Sequence, residues 1–300
     1  MKRIGVWLLL GVFLLAAAGV ASARDYRIFL ITMDQMDQHW VTVDAGARKA
    51  VEELGNVSYQ WMAPDVKDDA KQIEMINNAV AAGADAILLA ANGPTAVIAA
   101  LREAAAAGVK IIYVDSPADF PAEQTLATDN EAAGRIAGET LRNALEAKGI
   151  TSGKIGIVNV NAATMSTVLR ERGFRAAFEG SGFEILETQY GEGDAAKSKD
   201  IAANYITQGV VGIFGANEGS TVGTGNAIRE AGVGVIGVGF DKSNTILQLV
   251  RDGHLLAVMA QNPDVMGYEG VKAAVAVLEG KTLEADYVDT GVSVLTKDNI

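Results

Sequence analysis

The chain has 300 residues, of which 25 are basic, 37 are acidic and none is cysteine. The lack of cysteine excludes disulfide bonds, thiolate catalysis and cysteine-bound metal, and it leaves His39 and His254 as the only imidazoles. The net charge of −12 argues against nucleic acid or an anionic membrane as a partner, because both are bound through clustered Lys and Arg.

The N-terminal segment has the three parts of a secretory signal peptide. Lys2 and Arg3 precede an apolar run at residues 6–18, and a small-residue step ends at Ala23. This pattern predicts cleavage near Ala23 and a periplasmic or secreted protein. The alternative is a retained membrane anchor, which needs about 20 apolar residues. Cleavage of residues 1–23 leaves 23 basic and 37 acidic residues, a net charge of −14.

Beyond this segment, short runs rich in Val, Ile and Leu alternate with longer segments of helical period. Each run is almost continuously apolar, as expected for parallel strands that helices cover on both faces. The first half predicts strands at Tyr26–Thr32, Val57–Met62, Ala86–Ala90 and Lys110–Val114. The helices between them are predicted at Val41–Leu54, Ala70–Ala82 and Thr95–Ala107.

The same alternation begins again after Asp129. Strands are predicted at Lys154–Val160, Phe183–Thr188, Val210–Gly215, Val233–Gly239 and Leu255–Ala260. Helices are predicted at Glu131–Ala147, Thr167–Gly180, Asp194–Thr207, Thr221–Ala231 and Val265–Glu279. The pattern predicts an α/β protein of two doubly wound parallel-sheet lobes. We expect one lobe at residues 24–128 plus 262–290, and the other at residues 129–261 plus 291–300.

Ligands of such sheets bind at the carboxyl ends of the strands, so the residues that follow each strand are the candidates for a site. Acidic, amide and hydroxyl side chains recur there together with one tryptophan, which suits a polyhydroxylated ligand. The alternative is that these residues only cap helices and solvate loops. The candidates are Met33, Asp37, His39, Trp40, Asn92, Asp115, Ser116, Thr164, Asn217, Asp241 and Gln261.

From about Arg24 to the C-terminus, the chain resembles the type I periplasmic substrate-binding proteins of sugar ABC transporters, especially the ribose and galactose group. The motifs that carry the resemblance keep the order and spacing of that family over the whole chain. They include Gly46-Ala47, Gly83 to Ile87, Ile111 to Asp115, Asp129-Asn130, Arg170 to Phe174, Gly237 to Asp241 and Ala260-Gln261. The resemblance implies two lobes that close on a monosaccharide about a hinge of three crossings.

The resemblance also implies roles for individual residues. Asp115 and Asp241 resemble the hydroxyl-binding aspartates of the two lobes, Asn217 the amide after a second-lobe strand, Gln261 the hinge-side glutamine and Trp40 the ring-stacking aromatic. Three positions depart from the family: Ser116 stands where ribose binders carry arginine, His39 replaces one of two adjacent aromatics, and Met33 enters a loop that is usually small and polar. The family's arginine corresponds to Val168 or Arg170, depending on register.

These observations lead to an expected function without catalysis, metal or cofactor. We expect a monomeric carrier that binds a small sugar or polyol and delivers it to a membrane permease, and that can also serve a chemoreceptor or sensor kinase. Alternative ligands are a nucleoside, a cyclitol or a furanosyl signal molecule. A secreted sugar-acting enzyme is a further alternative, as is an oxygen-rich metal site at Asp34, Asp37 and His39. The core of a transcription repressor is rejected because a signal peptide stands where its DNA-binding helices belong.

Overall fold

The computed structural model of the protein describes residues 25–300, so the predicted signal peptide lies outside the described residues. The strands are β1 (Tyr26–Ile31), β2 (Val57–Met62), β3 (Ala86–Leu89), β4 (Lys110–Val114), β5 (Gln124–Ala127), β6 (Ser152–Asn159), β7 (Gly182–Ile185), β8 (Gln189–Tyr190), β9 (Val210–Gly215), β10 (Ile236–Phe240), β11 (Ala257–Gln261), β12 (Tyr287–Asp289) and β13 (Val292–Thr296).

Helices alternate with these strands along the chain. They are α1 (Gln38–Leu54), α2 (Asp69–Ala81), α3 (Ile98–Ala106), α4 (Asn130–Ala147), α5 (Met165–Ala176), α6 (Ala195–Thr207), α7 (Glu218–Ala231), α8 (Asn244–Arg251) and α9 (Pro263–Leu278). Within residues 25–300, none of the helices combines the length and the apolar character that crossing a membrane requires.

The strands form two sheets. The first has the order β12-β5-β4-β3-β1-β2 and is parallel throughout. The second has the order β13-β11-β10-β9-β6-β7, with β8 paired to β6 and β13 antiparallel to β11. Helices α1, α2, α3 and α9 pack on the first sheet, and α4 to α7 pack on the second. The prediction of two α/β lobes is therefore confirmed, and we call them the first and the second lobe.

The central strands are buried on both faces because side chains alternate across a sheet. Leu88 of β3 shares a buried cluster with Val43 of α1 and Met266 of α9. Its neighbour Leu89 shares a different cluster with Leu101 of α3 on the opposite face. This explains why β3 reads as an unbroken apolar run rather than as an alternating one.

Three segments connect the two sheets. β5 leads into α4 through Asp129, β11 leads into α9 through Asn262, and β12 leads into β13 through Thr290 and Gly291. Hydrogen bonds join the segments to one another: Asn262 Nδ2 donates to Thr290 O at 2.8 Å, and the Asp129 N–H donates to Asp289 Oδ1 at 3.0 Å. The connections therefore lie side by side rather than as independent tethers.

Five elements were not assigned a range from the sequence, namely β5, β8, α8, β12 and β13. None has more than eight residues, so all are shorter than the windows over which hydrophobic periodicity is reliable. Several ends also differ by a few residues; α1 begins at Gln38 rather than Val41, and α3 begins at Ile98 rather than Thr95. Such differences arise because helix ends depend on capping contacts more than on periodicity.

Close helix crossings require glycine in both lobes. A Cβ on Gly46 of α1 would lie 2.0 Å from Asp264 O of α9. A Cβ on Gly134 of α4 would likewise lie 2.0 Å from Arg170 O of α5. No side chain fits at those distances, so the two helix crossings require residues without a Cβ atom, Gly46 and Gly134.

Gly134→Ala is therefore expected to lower the free energy of unfolding by about 1–3 kcal/mol, because the helices must separate to admit the methyl group. The control is Gly234→Ala. A Cβ there meets nothing within 4 Å, and the φ angle of Gly234 lies outside the left-handed region that favours glycine. Chemical denaturation of both variants measures the difference. Equal stability of the two variants would contradict the crossing argument.

Candidate functional site

Asp115 and Asp241 occupy equivalent places at the centre of the two lobes. Asp115 directly follows β4 and Asp241 directly follows β10, and each side chain is almost fully buried. Both backbones are left-handed, with φ of 63° and 75°, a conformation that Asp tolerates better than most residues. Glu192 is the one other non-glycine residue with positive φ in the described part of the chain. Strained backbone at two matching strand ends indicates a functional site.

His39 lies between these two carboxylates. Its Nε2 is 3.1 Å from Asp115 Oδ2 in its own lobe, and its Nδ1 is 3.5 Å from Asp241 Oδ1 in the other lobe. Burial alone would lower the His39 pKa, but the two carboxylates override burial and raise it to about 10. His39 is therefore a cation at neutral pH, and it holds an electrostatic bridge between the lobes.

The aspartates in turn remain ionised. Burial opposes the charge of Asp115 and Asp241, yet contact with His39 and the charge of Arg170 hold both pKa values below their usual range. Gln261 Nε2 also donates to Asp241 Oδ1 at 2.8 Å. Because Thr128 Oγ1 donates to Gln261 Oε1 at 3.0 Å, this glutamine links Asp241 to the segments that connect the lobes.

Arg170 of α5 is oriented by three contacts. Its Nε donates to Asn130 Oδ1 at 2.8 Å, its Nη1 donates to Ala216 O at 3.1 Å, and its Cζ lies 4.3 Å from the centre of the Phe240 ring. The remaining Nη2 is 3.7 Å from Asp115 Oδ2 and forms no hydrogen bond. Arg170 thus brings its guanidinium group beside Asp115.

Two buried donors beside Asp115 lack an aligned hydrogen-bond acceptor. They are Arg170 Nη2 and His39 Nε2, both at ion-pair distance from Asp115 Oδ2 but without hydrogen-bond geometry. Leaving a buried polar group unpaired costs about 1–3 kcal/mol. A hydroxyl oxygen suits this point, because it can accept from the two cations while its proton is donated to the carboxylate.

Lys67 organises the loop between β1 and α1. Its Nζ forms ion pairs with Asp34 and with Asp37 Oδ2, the latter at 2.9 Å, and the side chain is only 8% exposed. Trp40 Nε1 donates to Asp34 Oδ2 at 3.3 Å, so the same carboxylate also holds the indole. Burial raises the pKa of Asp37, as do the charges of Asp34 and Asp241, whereas Lys67 keeps the pKa of Asp34 below its usual value despite burial.

These groups enclose a cavity of about 20 Å³ between the lobes. Ten of the twelve predicted ligand-binding residues line it: Met33, Asp37, His39, Trp40, Asp115, Thr164, Arg170, Asn217, Asp241 and Gln261. A wider cleft of about 580 Å³ adjoins it and shares the side chains of Asp37 and Lys67. The rule that strand ends meet at one edge thus brought most of the candidates together.

The other two predicted residues, Asn92 and Ser116, lie where the lobes touch rather than in the cavity lining. Thr164 Oγ1 of the second lobe donates to Asn92 O at 2.8 Å, and the Ser166 N–H donates to Ser116 Oγ at 3.3 Å. Their contacts join the two lobes, and neither residue reaches the cavity.

Sequence reasoning also missed residues that line the cavity, namely Lys67, Val160, Ser166 and Thr167. Lys67 follows β2 by five residues, so extending the search beyond the first residues after each strand would have found it. The proposed metal alternative at Asp34, Asp37 and His39 is not supported, because the Lys67 ammonium group already forms ion pairs with both carboxylates. No group of three or more potential metal-binding His, Asp or Glu side chains occurs between residues 25 and 300.

Comparison with known proteins agrees with this fold. The profile of the periplasmic binding protein domain matches residues 28–282 of the chain. The protein therefore belongs to the periplasmic binding protein family. Its relatives include sugar-binding components of transporters.

Individual relatives cover nearly the whole chain. A ribose import binding protein of Haemophilus influenzae is 30% identical over 278 residues, 90% of this chain and 91% of the relative. A carbohydrate transporter solute binding protein from Agrobacterium radiobacter, solved in complex with D-arabinose, has a TM-score of 0.88 at 33% identity, covering 92% of this chain and 95% of that chain. An ABC transporter solute binding protein from Agrobacterium vitis, bound with α-D-tagatopyranose, has a TM-score of 0.86 at 28% identity, covering 91% and 95%.

Removing the Lys67 charge tests whether the β1–α1 loop depends on it. Lys67→Met is expected to lower the free energy of unfolding by about 3–5 kcal/mol, because it leaves two carboxylates buried without their cation. Lys71→Met is the matched control, since Lys71 pairs with Asp65 at the exposed surface and its loss should change little. Chemical denaturation at pH 7 gives both values. Equal effects of the two variants would show that the buried pairs contribute no more than the exposed one.

The protonation state of His39 is directly measurable because the chain has only two histidines. We expect the His39 ring to stay protonated at pH 8, since two buried carboxylates raise its pKa to about 10. Nitrogen NMR of histidine-labelled protein records the titration, and a His254→Asn variant assigns the resonances. A His39 midpoint near 6.5 would refute the electrostatic bridge.

Proposed function

We propose that this protein is an extracytoplasmic solute-binding protein that captures a small sugar or polyol between its lobes and delivers it to an ABC-transporter permease. One observation carries the proposal: carboxylates from both lobes converge on a cavity beside the two donors of His39 and Arg170 that lack acceptors. This array of fixed donors and acceptors matches vicinal hydroxyl groups, each of which both donates and accepts.

The chemistry of the site favours a neutral ligand. Asp115 and Asp241 are already balanced by the cations of His39 and Arg170, so a ligand hydroxyl adds hydrogen bonds without adding charge. The relatives named above support this choice, because their printed ligands, D-arabinose and α-D-tagatopyranose, are monosaccharides. A nucleoside, a cyclitol or a furanosyl signal molecule shares the hydroxyl pattern and belongs in the same screen.

Binding requires the lobes to move. The inner cavity of about 20 Å³ is smaller than a monosaccharide, and its walls come from both lobes. A ligand therefore enters an opened form and selects closure through contacts that only the closed form completes. The three connecting segments are the natural hinge, and we propose that residues 24–128 with 262–290 move against residues 129–261 with 291–300.

The partners and location follow from the same proposal. A carrier whose lobe arrangement depends on its ligand can be recognised in the liganded form by a membrane permease, and also by a chemoreceptor or sensor kinase. We propose that the protein acts as a monomer in the periplasm or outside the cell, after cleavage near Ala23, and that it releases its sugar chemically unchanged. Recovery of an altered sugar after incubation would instead identify a sugar-acting enzyme.

Replacing Asp241 tests the proposal at its central contact. A thermal-shift screen against pentoses, hexoses, polyols and nucleosides first identifies a ligand, because binding to the folded state raises the melting temperature. Asp241→Asn should then weaken binding by more than tenfold in calorimetry, since a lost hydrogen bond to a charged group is worth about 1.5–3 kcal/mol. Asp252→Asn, at an exposed position beyond α8, is the control that should leave affinity unchanged. Undiminished affinity of the Asp241 variant would remove this residue from the site.

A further inference from the structure

The N-terminus of α1 is not capped by its own N-cap residue. The first N–H groups of a helix lack intrahelical partners, and a Ser, Asp or Asn side chain at the N-cap usually accepts from one of them. Asp129, Asn217 and Ser243 do this for α4, α7 and α8. Asp37 stands at the N-cap of α1, but its side chain makes no capping hydrogen bond.

The α1 cap comes instead from the other lobe. Lys67 engages the Asp37 carboxylate, which accepts no hydrogen bond from the first helical turn; the Trp40 N–H donates instead to the Asp37 carbonyl oxygen at 3.1 Å. The His39 N–H, in that turn, donates to Glu218 Oε2 at 3.0 Å. Glu218 is the first residue of α7 in the second lobe, so this helix cap crosses the cleft.

Glu218 is available for this role because its own helix is capped by its neighbour. Asn217 accepts from the Ser220 N–H at 3.1 Å and satisfies the start of α7. A Cβ on Gly219 would lie 1.8 Å from Gly193 O, so the backbone beside Glu218 is fixed by close packing on the loop before α6. The carboxylate is thus presented to the first lobe from a rigid position.

We propose that Glu218 is a positioning residue that caps α1 only when the lobes are closed, and that it thereby couples closure to the placement of His39. The inference rests on the proposed function, because lobe closure matters only for a protein that captures a ligand. Glu218 contacts the backbone N–H of His39, and the His39 side chain lies within ion-pair distance of both Asp115 and Asp241. Opening the cleft breaks the cap and the His39–Asp241 contact together.

The charges around Glu218 make this contact sensitive to pH. The charged and titratable groups that line the same clefts as Glu218 are Asp34 after β1, Asp37 and His39 at the start of α1, Asp65 and Lys67 after β2, Glu192 and Asp194 before α6, and Asp241 and Lys242 after β10. Burial, followed by the charges of Asp241 and Asp37, raises the Glu218 pKa to about 7 in this closed arrangement. In an open cleft, where the carboxyl group meets water, its pKa should return toward the ordinary value of 4.5.

The sign of the effect follows from proton linkage. A group whose pKa is higher in the closed state binds more protons there, so closure strengthens as pH falls from about 7 to 4.5. His39 acts in the same direction but between about 6.5 and 10. The pKa values of Asp115 and Asp241 are lowered in the closed arrangement, so these groups act in the opposite direction near and below their ordinary pKa of 3.8. In the interval from pH 5.0 to 6.5, titration of Glu218 favours closure, and Asp37, whose pKa is also raised, acts in the same direction.

Two substitutions separate the cap from the titration. Glu218→Gln keeps an oxygen that can accept from the His39 N–H but cannot titrate, whereas Glu218→Ala removes both properties. Glu131→Gln is the matched control, because Glu131 lies in the first turn of α4 and pairs with Arg172 within its own lobe. Folding of each variant is checked by its unliganded melting temperature.

Lobe separation can be measured without any ligand, since the chain has no cysteine to interfere with labelling. Spin labels at Glu103→Cys of α3 and Ala203→Cys of α6 report the distance between exposed positions on the two lobes. The ratio of closed to open protein should increase at least threefold between pH 6.5 and 5.0 when Glu218 is present. Glu218→Gln should abolish most of that increase, and Glu218→Ala should lower the closed fraction at pH 5.0, where the protonated carboxyl group can still accept from the His39 N–H.

The same proteins are then titrated with D-ribose, D-arabinose and D-tagatose. At pH 5.0, where the Glu218 carboxyl group is protonated in the closed state, Glu218→Ala should weaken binding at least fivefold through faster dissociation, and Glu131→Gln should not. Identical distance distributions in the Glu218→Ala and unaltered proteins at every pH would overturn the proposed cap. If the distances respond to Glu218 but no sugar in the wider screen binds, the cap is supported and the sugar-carrier function fails. If sugars bind equally well with and without Glu218, the function stands and the cap is overturned.

Discussion

The site depends on two aspartates that approach each other from different lobes and are both buried. Like charges in a low-dielectric interior repel, so Asp115 and Asp241 can converge only if a cation lies between them. His39 supplies that cation, and Arg170 adds a second positive charge beside Asp115. Lobe closure and site assembly are consequently the same event: separating the lobes removes Asp241 from the imidazole.

A second level of structure holds the groups that make this bridge. Lys67 pairs with Asp34 and Asp37, and Asp34 in turn accepts from the Trp40 indole, so buried ion pairs and a hydrogen bond fix the loop that presents His39. On the other side, Gln261 joins Asp241 to the connecting segments through Thr128. Two buried hydrogen bonds therefore connect Asp241 to the segments that join the lobes.

The two lobes share the same structural features at their strand ends and helix crossings. Asp115 and Asp241 end matching strands in left-handed conformations, and Gly46 and Gly134 permit matching helix crossings. The lobes differ in the side chains that they contribute to the contact across the cleft. The first lobe contributes His39, while the second contributes Glu218, so each lobe supplies one half of the contact across the cleft.

The sequence alone determined the two-lobe α/β fold and most of the cavity lining. Continuous apolar strands, helical periods and polar residues after each strand are local patterns, and the carboxyl-edge rule brings Asp115, Asn217 and Asp241 together without knowledge of their distances. Only the tertiary structure decided how those residues are used. That His39 bridges two carboxylates, and that Lys67 diverts Asp37 from its helix, depend on pairings between segments far apart in the chain. Such pairings depend on tertiary packing within and between the lobes, and no local sequence pattern indicates them.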